Sequence, residues 1–470
     1  MIKARTVHEQ EIIDKVYRHG QEHLLRFWEQ LNEQQKDLLV SDLEKIDFVL
    51  IREALPLIKE KKAAARYVSP PEVIHVPESG AERERRKEAE RKGASLISGS
   101  KAAALTAAGG QSTRLGIDAP KGTYPVTPVK KKSLFQVLAE KILAAQRKYS
   151  VKIPWIIMVS KTNRDQTIDF FKSNGFFGLD PGYVRFIEQG MNPAIDQEGK
   201  IFLAEKHRVF LSPNGHGGVF GALKNSGSFH WLNQMGAQEL FYFQVDNVLV
   251  RVLDPVYVGY HALGDCQMSS KGVKKKDPSE KMGVFVREDG RTALVEYSEL
   301  FSVHLEQGGD AAKTLMAGNI AIHMISLDFA QEVAAGELKL PFHLAYKKVP
   351  HVDEHGNTIK PQRPCGYKIE SFIFDALKLA SRTMIMEVER QKEFSPLKNR
   401  SGDDSPETVY RDQVLLYARW LEDAGIDVPR DHEGMPKYSL EVSPLFAACE
   451  EEFVDKVDKN LAVNKDTYIE

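Results

Sequence analysis

The stretch from Ala104 to Gly122 reads Ala-Leu-Thr-Ala-Ala-Gly-Gly-Gln-Ser-Thr-Arg-Leu-Gly-Ile-Asp-Ala-Pro-Lys-Gly. Its first part is small and apolar, the composition of a buried parallel strand. Ala107 and Ala108 end that run, and Gly109-Gly110 turn the chain where a side chain would block close approach of a ligand. Arg114 follows, and Lys121 arrives in a second small loop, Ala119-Pro-Lys-Gly122. Backbone N–H groups in such a loop form a concave anion site, to which the arginine and lysine add full charge. The pattern predicts a phosphate cradle at the carboxyl end of a first strand. It is not a Walker A loop, because Gly116 is followed by Ile117, and its glycines do not have the G-x-G-x-x-G spacing. A plain turn would account for the glycines but not for the two cations after them.

Other residues carry two readings each. Asp246 closes the apolar run Phe243-Gln-Val-Asp-Asn247. A carboxylate there faces the crevice above a sheet, where one or two carboxylates suffice for a nucleotide-bound magnesium ion; the alternative is an aspartate that caps the next turn. Ser212-Pro-Asn-Gly-His-Gly-Gly218 is a second glycine loop, either a flat platform for a base or sugar or a surface turn. Gln189, before Gly190, offers an amide that pairs with both a donor and an acceptor on uracil, or is an exposed loop residue. The carboxylates of Glu296-Tyr-Ser-Glu299 suit sugar hydroxyls or a solvated strand end, and Gly318-Asn319 alone says only turn. Lys368 and Lys398 are ordinary solvated lysines without context, and the lysine-rich stretch Lys271 to Lys276 reads as an exposed loop.

Taken in order, A-G-G-Q-S-T-R-L-G, P-K-G, P-W-x-I-M, V-D-N, E-Y-S-E, G-N-I-A and S-P-L-K-N resemble the signatures of the UDP-sugar pyrophosphorylase family. The resemblance runs from about residue 20 to about 460, with Ser112 where the family usually has glycine. It is similar above all to the N-acetylhexosamine branch. It implies a Rossmann-like mixed α/β sheet flanked by helices, with a helical N-terminal domain over 1–98, a catalytic domain over 99–400 and a small C-terminal domain over 401–470. The implied reaction joins UTP and a hexose 1-phosphate into UDP-sugar and pyrophosphate, with Mg2+ as cofactor. Arg114, Lys121, Asp246 and Lys398 then take catalytic positions, and Asp246 is the metal ligand. Ala107, Ala108, Gly109, Gly110, Lys121, Gln189, Gly215, Asp246 and Lys368 take UTP-binding positions. His216, Gly217, Glu296, Tyr297, Asn319 and Lys398 face the sugar phosphate. E-Y-S-E and Gly318-Asn319 point to N-acetylglucosamine 1-phosphate, whereas His216 is the residue usual in glucose 1-phosphate and broad-range branches. Two rivals are a non-catalytic UDP-sugar sensor, which should have lost Lys121, Asp246 or Lys398, and a glycosyltransferase, which usually carries D-x-D where this chain has Asp-Asn-Val.

These side chains need a scaffold. The 470 residues exceed one typical core, and 42% hydrophobic with 28% charged residues is ordinary for a globular protein. A net charge of −2 gives no electrostatic reason to expect nucleic acid or a membrane surface as partner. Three widely spaced cysteines suit a reducing compartment, and no apolar run approaches the ~20 residues of a membrane span, so a cytoplasmic enzyme is expected.

Residues up to about Tyr67 read as helices, with Ser41-Asp-Leu-Glu44 as a capping box that opens one of them. Glu82 to Lys92 is a mixed-charge solvated helix face, and Gly93 to Ser100 a small-residue linker. From Lys101 strands and helices alternate, as in an α/β domain. Strands are expected at Pro154–Val159, Tyr183–Ile187, Leu240–Val245 and Asn319–Met324, with a hairpin about Asp289-Gly290. Ser133-Leu-Phe-Gln136 opens a helix to about Lys148, and Ile369 to Glu389 reads as another helix.

Overall fold

The computed structural model describes residues 2, 4–59, 66–110 and 112–470, so Gln111 of the cradle stretch and positions 60–65 of the expected helical region lie outside the described residues. The chain divides into two compact units, each discontinuous in sequence. The first comprises Met1–Ala64, Gln189–Gly218 and Leu340–Asp375, the second the remainder.

In the first unit, helices Val7–Arg18, Glu33–Glu44 and Phe48–Lys59 bury one face each. Ile13, Val16, Leu24, Leu39 and Leu43 meet Ile195, Ile201, Leu203 and Ile369 in one core. Each such side chain taken from water contributes about 1.5–3 kcal/mol before entropy is counted. Asp42 is buried and is satisfied by Arg208 at 2.7 and 3.0 Å and by the Val209 N–H at 3.2 Å, which ties the second helix to a strand. The capping box expected at Ser41–Glu44 is instead the last turn of that helix. Asn32 and Gln35 form the actual box, so the helix starts earlier. Short antiparallel pairs, Met191–Pro193 with Leu211–Pro213 and His343–Lys347 with Gly366–Glu370, frame the glycine loop.

The second unit is built on a ten-stranded mixed sheet. In chain order its strands are β1 (Val73–Ile74), β2 (Ala102–Ala107), β3 (Trp155–Val159), β4 (Val184–Glu188), β5 (Glu239–Gln244), β6 (Met268–Lys274), β7 (Val284–Glu288), β8 (Arg291–Val295), β9 (Ala317–Ser326) and β10 (Thr383–Glu387). The spatial order is β1-β10-β6-β9-β5-β2-β3-β4, with the β7–β8 hairpin attached to β9. β9 runs antiparallel to β5 and β6, while β5, β2, β3 and β4 are mutually parallel. Parallel strands covered on both faces are apolar throughout, and β3 is buried at every position. Within that layer Thr106 is satisfied by the Trp155 indole N–H at 2.8 Å.

The expected strands and hairpin occur within a residue or two, and Asp289 and Gly290 both take positive φ at the hairpin turn. Ser133 caps helix Leu134–Tyr149, which ends where predicted to within a residue.

Four further expectations are corrected. Arg66–Val68, at the end of the region expected to be helical, is a strand paired with Val303–Leu305. Gly93 to Ser100 is no linker, because helix Gly80–Ser98 continues through it. A Cβ at Gly93 would stand 1.9 Å from the Pro255 carbonyl oxygen, and one at Gly259 1.6 Å from that of Ala89. The glycines therefore let this helix and helix Pro255–Leu263 touch backbone to backbone. Ile369 to Glu389 is not one helix. It comprises the end of strand Gly366–Glu370, a short helix Ala376–Leu379 and β10. Apolar Met384, Ile385 and Met386 suit a buried strand between two parallel neighbours as well as a helix, and pairing with β6 and β1 decides the outcome. Finally, Lys271 to Lys276 is not an exposed loop. Lys271 lies in β6 with no exposed surface, held by Asp254 at 2.8 Å and Glu393 at 2.6 Å.

The C-terminal segment forms helix Pro406–Asp423, helix Glu450–Lys456 and a parallel pair, Leu440–Val442 with Thr467–Ile469. No described helix is long and apolar enough to cross a membrane.

Candidate active site

Two sets of the predicted residues are described, one in each unit. In the second unit, β2 ends at Ala107, and Ala108 is held by its N–H to the Met158 carbonyl at 2.7 Å and its C=O to the Asn163 amide at 2.9 Å. Past that anchor Gly110 is exposed, with no atom within 4 Å of where a Cβ would stand. A short 3-10 turn over Ser112–Leu115 follows, and Gly116 takes φ +75°. Arg114 is exposed and makes no ion pair among the described residues.

The second loop brings Lys121 inward. A Cβ at Gly122 would lie 2.2 Å from the Phe135 ring, so glycine there lets the loop press onto helix Leu134–Tyr149. The Lys121 ammonium then reaches the Asp246 carboxylate at 3.3 Å, with the two side chains only 16% and 10% exposed. Asp246 stands just beyond β5, and its backbone carbonyl accepts the Leu397 N–H at 2.9 Å. Lys398, the next residue, has a half-exposed side chain near Asp404 at 3.6 Å and the Phe394 ring at 5.7 Å. Strand end, cradle loop and the Ser395–Asn399 segment thus converge on Asp246.

Three of the residues predicted for the sugar, Glu296, Tyr297 and Asn319, lie about the β7–β8 hairpin. Asn319 donates its N–H to the Gly283 carbonyl at 2.9 Å, and its side-chain oxygen accepts the Ala321 N–H at 2.9 Å. That contact supports a bulge in β9, where Ala321 takes φ +55° and the register against β6 shifts. A Cβ at Gly283 would stand 3.6 Å from Glu296 Oε1, so Glu296 and Asn319 both flank Gly283. Tyr297 is 45% exposed. Glu299 is tied to Arg66 at 3.1 Å, and Arg66 also holds Glu288 at 2.8 Å. Hydrogen bonds from Arg66, outweighing the cost of burial, hold the Glu288 carboxyl down at about 2.

In the first unit, the Gln189 amide nitrogen donates to the Gly215 carbonyl at 2.7 Å. Gly215 has φ +81°, and a Cβ there would collide with the Ser371 carbonyl oxygen at 2.2 Å, so only glycine fits. Gly217 donates its N–H to Ser371 O at 2.9 Å, and Ser371 donates to Asn214 O at 2.8 Å. His216 Nδ1 accepts the Ile373 N–H at 3.1 Å, which places the proton of the neutral ring on Nε2. The Phe372 and Phe374 rings stand at 5.3 and 5.5 Å from it. Burial, assisted by repulsion from His343, lowers the imidazole to about 4, so it is neutral at physiological pH. Lys368 lies on strand Gly366–Glu370 with its ammonium 5.7 Å from the Phe210 ring.

Sequence reasoning missed the backbone of Ser371–Ile373, which fixes the His216 tautomer. Contacts made by main-chain groups leave no residue-type signal. Asn247 was legible only as part of V-D-N.

Asp246 fits magnesium by donor chemistry. It is a single, nearly buried carboxylate at a strand end, as suits an ion that keeps phosphate and water as its other ligands. Among the described residues there is no cluster of three or more histidine, cysteine or acidic side chains to hold a metal by itself.

The family model described as UTP–glucose-1-phosphate uridylyltransferase matches residues 58–417. The human UDP-N-acetylhexosamine pyrophosphorylase-like protein 1 is 36% identical, covering 93% of this chain and 92% of its own. UDP-N-acetylglucosamine diphosphorylase 2 of Arabidopsis thaliana is 35% identical, covering 93% and 89%. The crystal structure of the uridine diphosphate N-acetylglucosamine pyrophosphorylase of Trypanosoma brucei, in complex with an inhibitor, superposes with a TM-score of 0.81 at 26% identity, covering 100% of this chain and 99% of that one. With the cradle, the Lys121–Asp246 pair and the mixed sheet in place, these matches leave one assignment: the chain belongs to the UTP–glucose-1-phosphate uridylyltransferase family.

Proposed function

We propose that this protein is a uridylyltransferase that joins UTP and a hexose 1-phosphate, N-acetylglucosamine 1-phosphate foremost, into UDP-sugar and pyrophosphate. The observation that carries this reading is the contact of Lys121 with Asp246 at the tip of β5, beside a glycine cradle and the Lys398 segment. A sensor that only binds nucleotide sugar has no need for all three groups.

In the reaction an oxygen of the sugar phosphate attacks the α-phosphorus of UTP in line. A new P–O bond forms, the bond from the α-phosphorus to its bridging oxygen breaks, and pyrophosphate leaves. The attacking phosphate is already an anion, so no base is required, and positioning with charge neutralisation supplies the rate. The N–H groups around Gly109 and Gly110, with Arg114 and Lys121, hold the triphosphate. Mg2+, held by Asp246, neutralises phosphate charge when bound. Lys398 meets the charge of the sugar phosphate and the departing pyrophosphate, and Lys368 meets the phosphates of UTP. Gln189 and Gly215 read the uridine. His216, Gly217, Glu296, Tyr297 and Asn319 serve the sugar. We place the enzyme in the cytoplasm, in keeping with three free cysteines.

A second sugar is favoured by one observation. His216 presents a fixed Nε2–H donor, which suits a hydroxyl as well as an amide carbonyl. Loss of the acetyl group leaves a space rather than a clash, at ~1–3 kcal/mol, so appreciable use of glucose 1-phosphate is part of the proposal. Pyrophosphate release from UTP with a panel of sugar 1-phosphates tests both points. N-acetylglucosamine 1-phosphate should lead, with glucose 1-phosphate second; release with no sugar 1-phosphate of the panel would refute the function.

A further inference from the structure

The side chain of Lys398 is only loosely held, so its position must be inherited from its backbone. That backbone contains Pro396, which has no N–H to donate, and it has no regular ladder of its own. What fixes it is the residue after the proposed metal ligand. Asn247 is 3% exposed. Its Nδ2 donates to the Glu393 carbonyl at 2.8 Å, and its Oδ1 accepts the N–H of Ser395 at 3.0 Å and that of Leu249 at 3.3 Å. The neighbouring Leu397 N–H reaches Asp246 O at 2.9 Å.

We propose that Asn247 is a positioning residue that locks the segment bearing Lys398 to the strand end bearing Asp246, so that the two charges are placed as one unit. The lock is braced from behind. The Glu393 carboxylate takes the buried Lys271 ammonium at 2.6 Å, and Lys271 also takes Asp254 at 2.8 Å. Ser395 Oγ donates to Asp412 at 2.8 Å. On the far side the N–H groups of Lys398 and Asn399 both reach Asp404 O, at 2.7 and 3.0 Å. An aspartate that merely capped its turn would need no amide behind it that reaches the chain near residue 395. The inference rests on the proposed uridylyl transfer, in which Asp246 and Lys398 act on the same phosphates.

The test is a double-mutant cycle on the full-length protein, with UTP, Mg2+ and the preferred sugar 1-phosphate. Asn247→Ala should lower kcat by ~30-fold or more while KM for UTP changes less than about threefold, the pattern of lost orientation rather than lost binding. In a Lys398→Ala background the same change should cost less than about threefold, because the group it positions is gone. Should Asn247→Ala fail to fold, Asn247→Ser keeps a small neutral polar side chain at the site while giving up the simultaneous reach to Glu393 and Ser395. It should show the same non-additivity with a smaller single effect. Equal losses in both backgrounds, or a rise in KM with kcat unchanged, would overturn the inference while leaving the reaction standing. A wild-type protein silent on every sugar 1-phosphate would overturn the functional reading and the inference with it.

Discussion

Replacing Asp246 by asparagine separates the chemistry at the strand end from its architecture. The carboxylate is 3.3 Å from the Lys121 ammonium, and the two side chains are 10% and 16% exposed. At an effective dielectric of about 20 their attraction is about 5 kcal/mol, but desolvation of both charges offsets most of it. Asparagine keeps the shape and an oxygen for Lys121, and the backbone bond from Leu397 is unaffected. Stability should therefore fall by no more than about 2 kcal/mol, a shift of a few degrees in Tm for a chain of this size. Turnover should fall far more. Loss of the charge proposed to hold Mg2+ should raise the barrier by at least about 2.7 kcal/mol, or ~100-fold in kcat. Steady-state pyrophosphate release, with Mg2+ titrated in both proteins and Tm measured alongside, checks each half. The variant should need more Mg2+ for half-maximal rate. Near-normal kcat with an unchanged Mg2+ requirement would remove Asp246 from the metal site.

Lys121→Met and Lys398→Ala should each slow turnover by ~100-fold or more in folded protein, and losses under threefold would return both lysines to the solvated surface. Because His216 titrates near 4 rather than near 6.5, its Nε2–H persists through neutral pH, so the ratio of kcat/KM for N-acetylglucosamine 1-phosphate over glucose 1-phosphate should be flat between about pH 5 and 8. A step near pH 6.5 would refute that environment, and His216→Asn should move the ratio toward the N-acetylated sugar. Glu288 has its carboxyl lowered from 4.5 to about 2, so its stabilisation is complete above about pH 4.5 and is lost as pH falls toward 2. Glu288→Gln should lower Tm at neutral pH and flatten the acid limb of a plot of Tm against pH, and an unchanged limb would contradict the Arg66 contact.

The parts of this site that were legible in the sequence are those written in residue types. Gly109-Gly110 with Arg114 and Lys121 stand out because a plain turn does not account for the two cations, and β2, β3 and β5 are apolar runs that burial explains, whereas Asp246 by itself reads equally as a turn cap and gains weight only from the V-D-N motif. Contacts made across long separations were not legible. Lys271 reads as solvated until Asp254 and Glu393 meet it, and the box at Ser41–Glu44 reads as a helix start until Asn32 and Gln35 are seen to form a better one. The helix expected over Ile369 to Glu389 failed because β10 draws its structure from β6 and β1, which lie far away in sequence. Gly93 reads as a linker because its purpose, close contact with Gly259, involves a residue more than a hundred positions away.

The most direct measurement uses UTP radiolabelled at the α-phosphorus, incubated with the protein, Mg2+ and N-acetylglucosamine 1-phosphate. Label should appear in UDP-N-acetylglucosamine in step with pyrophosphate released, and UTP labelled at the γ-phosphorus should give label in pyrophosphate alone. No labelled nucleotide sugar with any sugar 1-phosphate, or γ-label in the sugar product, would contradict uridylyl transfer at this site.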